Sequence, residues 1–119
     1  MKEESVKVFE KEEKDEDVLH YDVCILGGGP AGLTAAIYTS RYGLKTAIIT
    51  KNVGGMCNLA HKIENYPGYE GGGFELMQKF YKQAKEFGSE TANTEVANIK
   101  KDKTGFVVGL RRGGGVHAK

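Results

Sequence analysis

The chain of 119 residues has material for one modest core and is short for an enzyme housing two cofactors. Its 17 Lys and Arg against 16 Asp and Glu leave a formal charge of +1, so nothing in the overall charge argues for nucleic acid or an anionic membrane surface as a partner. No apolar run approaches the ~18 residues of a membrane-spanning helix, and Cys24 and Cys57 stand at neither redox-pair nor metal-ligand spacing.

The charge is unevenly spread. Residues 1–17 hold four Lys and eight acidic residues, a net of −4 that leaves +5 on the remainder. Residues 1–19 read as a charged, flexible N-terminal arm, with one short alternating patch at Val6, Val8 and Phe9. An acidic start is the reverse of a secretory or mitochondrial leader, and a cytoplasmic protein is expected.

The first strand is expected from about Tyr21 to Leu26, apolar without interruption as in a strand covered on both faces, and is placed near the centre of a sheet. It breaks at Gly27-Gly28-Gly29-Pro30-Ala31-Gly32 and turns directly into a helix over Ala31 to about Tyr42, stopped by Gly43. A helix that starts on glycines behind a strand points its free N–H groups and its positive dipole end at open space, a cradle for a pyrophosphate. In the G-x-G-x-x-G pattern Gly27 makes the tight turn, Gly29 lets phosphate approach the main chain, and Gly32 lets helix and strand pack closely. Pro30 suits the first helical turn, where a missing N–H costs nothing. The same hexapeptide can also close an ordinary structural βα joint.

Lys45–Thr50 is the next strand, and strand, helix and strand with short joints make a right-handed βαβ unit with parallel strands. Lys51 to Gly73 loses periodicity and reads as a long loop containing Gly54-Gly55, Pro67-Gly68 and Gly71-Gly72-Gly73. Helical spacing returns at Phe74, Met77, Phe80, Tyr81, Ala84 and Phe87, an apolar stripe suited to core packing, and Gly88 ends it. Short strands follow at Glu90–Asn93, Glu95–Lys100, Phe106–Arg111 and from Val116, with Gly113-Gly114-Gly115 as a hairpin turn. The fold class is α/β: a three-layer arrangement whose parallel sheet begins with βαβ, followed by a small antiparallel meander.

Other chemistries find no support. His20, His61 and His117 have no cysteine or carboxylate at zinc-ligand spacing, so no metal is assigned. Neither the G-x-S-x-G nucleophile turn nor the Walker pattern G-x-x-x-x-G-K-[ST] occurs, which argues against serine hydrolysis and P-loop phosphoryl transfer.

Taken together, Tyr21–Tyr38, Gly54-Gly55-Met56, Ile63-Glu64-Asn65-Tyr66-Pro67-Gly68 and the helix from Glu75-Leu76-Met77 to Glu86-Phe87-Gly88 resemble the low-molecular-weight thioredoxin reductases. These are flavoproteins of the pyridine nucleotide-disulfide oxidoreductase group. The resemblance covers about residues 20–119 and implies a partial, Rossmann-like FAD-binding domain, incomplete at its C-terminal end. In such enzymes NADPH reduces FAD, and the flavin passes electrons to a C-x-x-C disulfide that reduces thioredoxin.

By this likeness Gly27, Gly28, Gly29, Pro30, Ala31 and Gly32 would hold the FAD pyrophosphate, and Thr50 and Lys51 would meet the adenosine ribose. Gly54, Gly55, Met56 and Asn65 would approach the isoalloxazine, and the main chain at Val96 would border the adenine. A thioredoxin-like disulfide substrate is implied only for a complete protein, and a homodimer is left open.

Three departures accompany the likeness. The acidic residue expected about 20 residues beyond the glycines to bond the ribose hydroxyls is replaced by Thr50-Lys51-Asn52, which leaves open a phosphorylated ribose as in NADP. Cys57 resembles one half of the redox pair of glutathione-reductase-type enzymes, but Lys62 stands where its partner would be, so no catalytic residue is assigned. The chain ends at Lys119, before the NADPH domain and redox cysteines of the family, and alone is expected not to turn over. A free-standing dinucleotide-binding module and a fragment of an NAD(P)-dependent dehydrogenase are the competing readings.

Overall fold

The computed structural model describes residues 18–119. The patch at Val6, Val8 and Phe9 and the arm reading of residues 1–17 lie outside the described residues. Val18 and Leu19, assigned to that arm, instead open strand β1, Val18–Tyr21. The single strand expected over Tyr21–Leu26 is two, because β1 ends at Tyr21 and β2, Val23–Leu26, begins after a bend at Asp22. Asp22 N–H donates to Lys45 O at 2.8 Å, Val23 N–H donates to the same carbonyl at 3.1 Å, and the Asp22 carboxylate accepts Lys45 N–H at 2.7 Å. The bend is thus held from across the sheet.

Helix α1 (Pro30–Arg41) leads to β3 (Thr46–Thr50), then a 3-10 turn (Gly55–Leu59) and a hairpin of β4 (Ile63–Tyr66) and β5 (Tyr69–Gly71). Helix α2 (Gly73–Glu86) follows, then β6 (Glu90–Asn93), β7 (Val96–Asp102), β8 (Gly105–Leu110) and β9 (Gly115–Ala118). The segment read as one long loop therefore contains a hairpin. Its strands are too short to show alternation, and Pro67-Gly68 turns them, with Gly68 at φ 84° in the place that favours glycine.

Strands β2, β3 and β6 form a parallel sheet in that order, with Val23 opposite Thr46 and Thr50 opposite Asn93. Among the described strands β3 is central and β2 lies at the rim, where the sequence placed β2 near the centre. The apolar run of β2 reflects covered faces rather than covered edges: Cys24 packs with one core cluster and Ile25 with the other.

Every residue of β3 is buried. Ala47 and Ile49 face a core completed by Tyr21, Val108, Leu110 and Val116, while Ile48 faces Leu33 and Ala36 of α1 and Leu76, Met77 and Ala84 of α2. The result is three layers: helices, parallel sheet, meander. The meander runs β7-β8-β9 antiparallel, closed as expected by Gly113 and Gly114 at positive φ, and β1 joins β9 in parallel. Ser40 of α1 and Ser89 beyond α2 share a buried hydrogen bond of 2.6 Å that ties the helical layer together.

The Asp22 carboxyl is held below the usual carboxylate range, first by the Lys45 N–H and further by the Lys119 ammonium 3.6 Å away. A lowered folded pKa means that ionised Asp22 adds stability above the ordinary carboxylate pKa and that this share is lost as pH falls through the lowered value. Urea melts of Asp22→Asn across pH 2 to 6 are expected to show a shallower acid limb than the parent. An identical acid limb would remove Asp22 from the pin between the sheets.

Candidate dinucleotide-binding site

The glycine corner follows β2 directly. Gly27 takes φ 107°, a left-handed conformation that disfavours any side chain, while its N–H continues the ladder to Ile49 O at 2.8 Å. A Cβ on Gly28 would meet the Thr50 side chain at 2.9 Å, and one on Gly32 would lie 1.9 Å from Gly27 O. Three of the four glycines are therefore demanded by the chain itself. Gly29 is not: its φ of −81° suits any residue, and the nearest atom to an added Cβ is Gly54 O at 3.8 Å.

Gly29 also caps α1 without a side chain, and the first turn carries no acidic residue. Helical bonding starts with Leu33 N–H to Gly29 O at 2.9 Å, so the N–H groups of Gly29, Ala31 and Gly32 have no partner among the described residues. Pro30 takes the first helical position, as its fixed φ allows. Unpaired donors, the positive end of a helix and a bare Cα suit a diphosphate in composition and in sign of charge.

The second glycine pair is brought against the first. Gly54 N–H donates to Gly28 O at 2.7 Å, and a Cβ on Gly55 would stand 3.5 Å from Gly29 Cα. Asn58, which the sequence reading did not single out, holds this turn by donating Nδ2–H to Val53 O at 2.8 Å, and its buried Oδ1 has no partner among the described residues. That oxygen packs against Gly54, where a Cβ would be only 2.1 Å away.

Met56 stands 82% exposed at the start of the 3-10 turn, and Asn65 is exposed on the hairpin. Neither hydrogen-bonds the glycine corner among the described residues.

At the other end, Thr50 is buried and its hydroxyl donates to Asn52 O at 3.0 Å, turned into the loop. Lys51 Nζ reaches Glu95 Oε2 at 3.0 Å, and Arg111 Nε meets Glu95 Oε1 at 2.8 Å. Val96 follows Glu95 and is partly buried against the meander core. Glu95 and Arg111 escaped the sequence reading because Glu95 reaches Lys51 through the pairing of β3 with β6, where Thr94 N–H donates to Thr50 O at 3.0 Å, while Arg111, at the end of β8, reaches Glu95 beside the pairing of β7 with β8.

Both cysteines are free thiols. Burial pushes the Cys24 thiol up to about 11, which keeps it protonated and inert at neutral pH. Cys57 lies in the 3-10 turn, partly buried against the helical core. Among the described residues no three His, Cys, Asp or Glu side chains gather as metal ligands, and no helix is long and apolar enough to cross a membrane.

A βαβ unit whose glycine corner leaves amides free at a helix start defines a Rossmann-type dinucleotide-binding domain. The sequence profile of the pyridine nucleotide-disulphide oxidoreductases matches residues 21–116, and the chain belongs to that family. It is similar to the thioredoxin reductase of Bacillus subtilis, 46% identical over 81 residues that make up 66% of this chain and 26% of that protein. The thioredoxin reductase of Aquifex aeolicus is 48% identical over 79 residues, 64% of this chain and 24% of that protein. The chain thus spans about a quarter of the length of these curated relatives.

Among solved structures, a thioredoxin reductase from Gloeobacter violaceus superposes with a TM-score of 0.78 at 38% identity, covering 84% of this chain and 32% of that one. The thioredoxin reductase of T. acidophilum gives 0.78 at 36% identity, covering 84% and 33%. Family membership implies a flavin cofactor, and the free amides at the start of α1 suit a diphosphate group.

Gly29 and Gly32 separate binding from folding. Gly29→Ala is expected to melt within about 0.5 kcal/mol of the parent while losing affinity for ADP, a diphosphate probe, by roughly tenfold or more. Gly32→Ala is expected to lose about 3 kcal/mol of stability through overpacking. Denaturant melts and calorimetric titrations check both, and a Gly29→Ala variant that binds ADP as the parent does would refute the site.

Proposed function

We propose that this chain is the FAD-binding portion of a thioredoxin-reductase-like oxidoreductase, which in the complete protein carries electrons from NADPH through FAD to a disulfide substrate. The observation that carries the reading is Gly29, a glycine that neither its backbone conformation nor packing among the described residues requires, and whose own N–H, like those of Ala31 and Gly32, has no partner among the described residues. Gly27 to Gly32 hold the diphosphate through main-chain N–H groups, and Pro30 and Ala31 fix the helix start that aims them. Gly54, Gly55, Met56 and Asn65 border the isoalloxazine, and Thr50, Lys51 and Val96 border the adenosine. The bound flavin supplies the redox chemistry; the protein supplies orientation and electrostatics.

Cys57 is a packing thiol in this reading, since Lys62 stands where the redox partner of the related enzymes would be. The setting is cytoplasmic, in keeping with two free thiols. A homodimer of the complete protein belongs to the same proposal.

Adding FAD to the chain is expected to quench flavin fluorescence, and Cys57→Ser is expected to give the same titration curve. The 119 residues contain one G-x-G-x-x-G corner and no C-x-x-C pair, so NADPH added to the flavin-loaded chain is expected to leave the visible absorbance unbleached. No quenching, together with tight binding of a nicotinamide dinucleotide, would replace the flavin reading with the dehydrogenase-fragment one.

A further inference from the structure

The ribose end of a Rossmann site is normally read by an acidic side chain at the tip of the second parallel strand, which accepts hydrogen bonds from the sugar hydroxyls. Here that tip offers no acceptor of the kind. Thr50 is buried with its hydroxyl donated to Asn52 O, and Lys51 carries the opposite charge. Left alone, Lys51 would favour a phosphate on the ribose, the arrangement that selects NADP-type ligands.

Lys51 is not left alone. Strand β6 lies beside β3 with Asn93 opposite Thr50, so the two strands leave the sheet together and Glu95 emerges beside Lys51. Its carboxylate meets Lys51 at 3.0 Å and Arg111 at 2.8 Å, and Arg111 N–H donates to Glu95 O at 2.8 Å. The carboxylate is thereby fixed in place at the sheet end where the adenosine half of a dinucleotide lies.

We propose that Glu95, delivered from the neighbouring strand and oriented by Lys51 and Arg111, is the ribose-reading carboxylate of this site and confines it to dinucleotides whose adenosine ribose is unphosphorylated. This rests on the dinucleotide reading above and adds the specificity that the tip of β3 lacks. The carboxylate has two oxygens and several acceptor positions, so two cations at its edges leave capacity for a sugar hydroxyl. Hydrogen bonding from Lys51, and then the charges of Lys51 and Arg111, hold the Glu95 carboxyl below the usual range, so it is ionised at neutral pH. A 2′-phosphate would meet that anion at close range and find both cations engaged. Removing the negative charge frees two cations at one spot and reverses the preference.

The test is calorimetric titration of the whole chain with ADP and with 2′,5′-ADP. The parent is expected to prefer ADP. In Glu95→Gln, ADP is expected to bind about tenfold more weakly, the loss of a hydrogen bond to a charged acceptor, and 2′,5′-ADP more tightly, so that the order inverts. Adding Lys51→Met to that variant is expected to cancel the gain for 2′,5′-ADP. Exposed ion pairs add little to stability, and unchanged melting of Glu95→Gln serves as the folding control. A ratio of the two affinities equal in parent and Glu95→Gln overturns this proposal while leaving the dinucleotide reading intact; a parent that binds neither ADP nor FAD overturns both.

Discussion

The start of α1 lies where it does because Gly32 brings its Cα against the carbonyl of Gly27, a contact with no room for a methyl group. That approach folds the helix back over the end of β2 and turns its first amides outward. A helix start displaced by even one methyl radius would aim the same N–H groups elsewhere, and the dipole with them. The second glycine pair depends on the same placement, since Gly54 N–H finds Gly28 O only when the corner is tight. The site is therefore built from main-chain positions, with side chains excluded from it.

Such a corner needs a rigid base, and β3 provides it by dividing the molecule. Its alternate residues go to different cores: Ile48 to the helices, Ala47 and Ile49 to the meander. A one-residue slip of β3 would exchange the two sets and place Thr46 and Thr50 against the meander. Register in the parallel sheet is thus fixed by both faces at once, and with it the position of Thr50 beneath Gly28. Asp22 adds a lateral pin by binding the entry of β3 just where the chain changes sheets.

The helix behind the glycines, the parallel pairing of β2 with β3 and the hairpin at Gly113-Gly114 were legible because each is signalled locally, by periodicity or by glycine placement. The bend at Asp22 was not, since its cause lies across the sheet at Lys45. Hairpin β4–β5 was hidden for another reason: strands of four and three residues carry too few positions to display a period. In the site, the glycine corner was readable from spacing. The assignment of Gly54, Gly55, Met56, Asn65 and Val96 came from family likeness, and of these Gly54 and Gly55 lie against the corner. The Glu95 cluster depends on strand register, which spacing along one strand does not reveal.

That last case bears on how a charge at a binding site is assigned. Neighbouring strands of a sheet lie about 4.8 Å apart, within the reach of a glutamate or lysine side chain, so a residue type missing from one strand tip can be supplied by the next. A substitution from acid to base at the tip of β3 does not by itself invert the field there. Lys51 and Arg111 bring two positive charges, Glu95 brings one negative charge between them, and the separations of 3.0 and 2.8 Å keep the three acting as a unit. The sign a ligand meets is then decided by which member of the unit faces it. Motif rules that read the sugar end from a single strand assume that the acid and the strand tip share one segment of chain, and the pairing of β3 with β6 relaxes that assumption while preserving the chemistry.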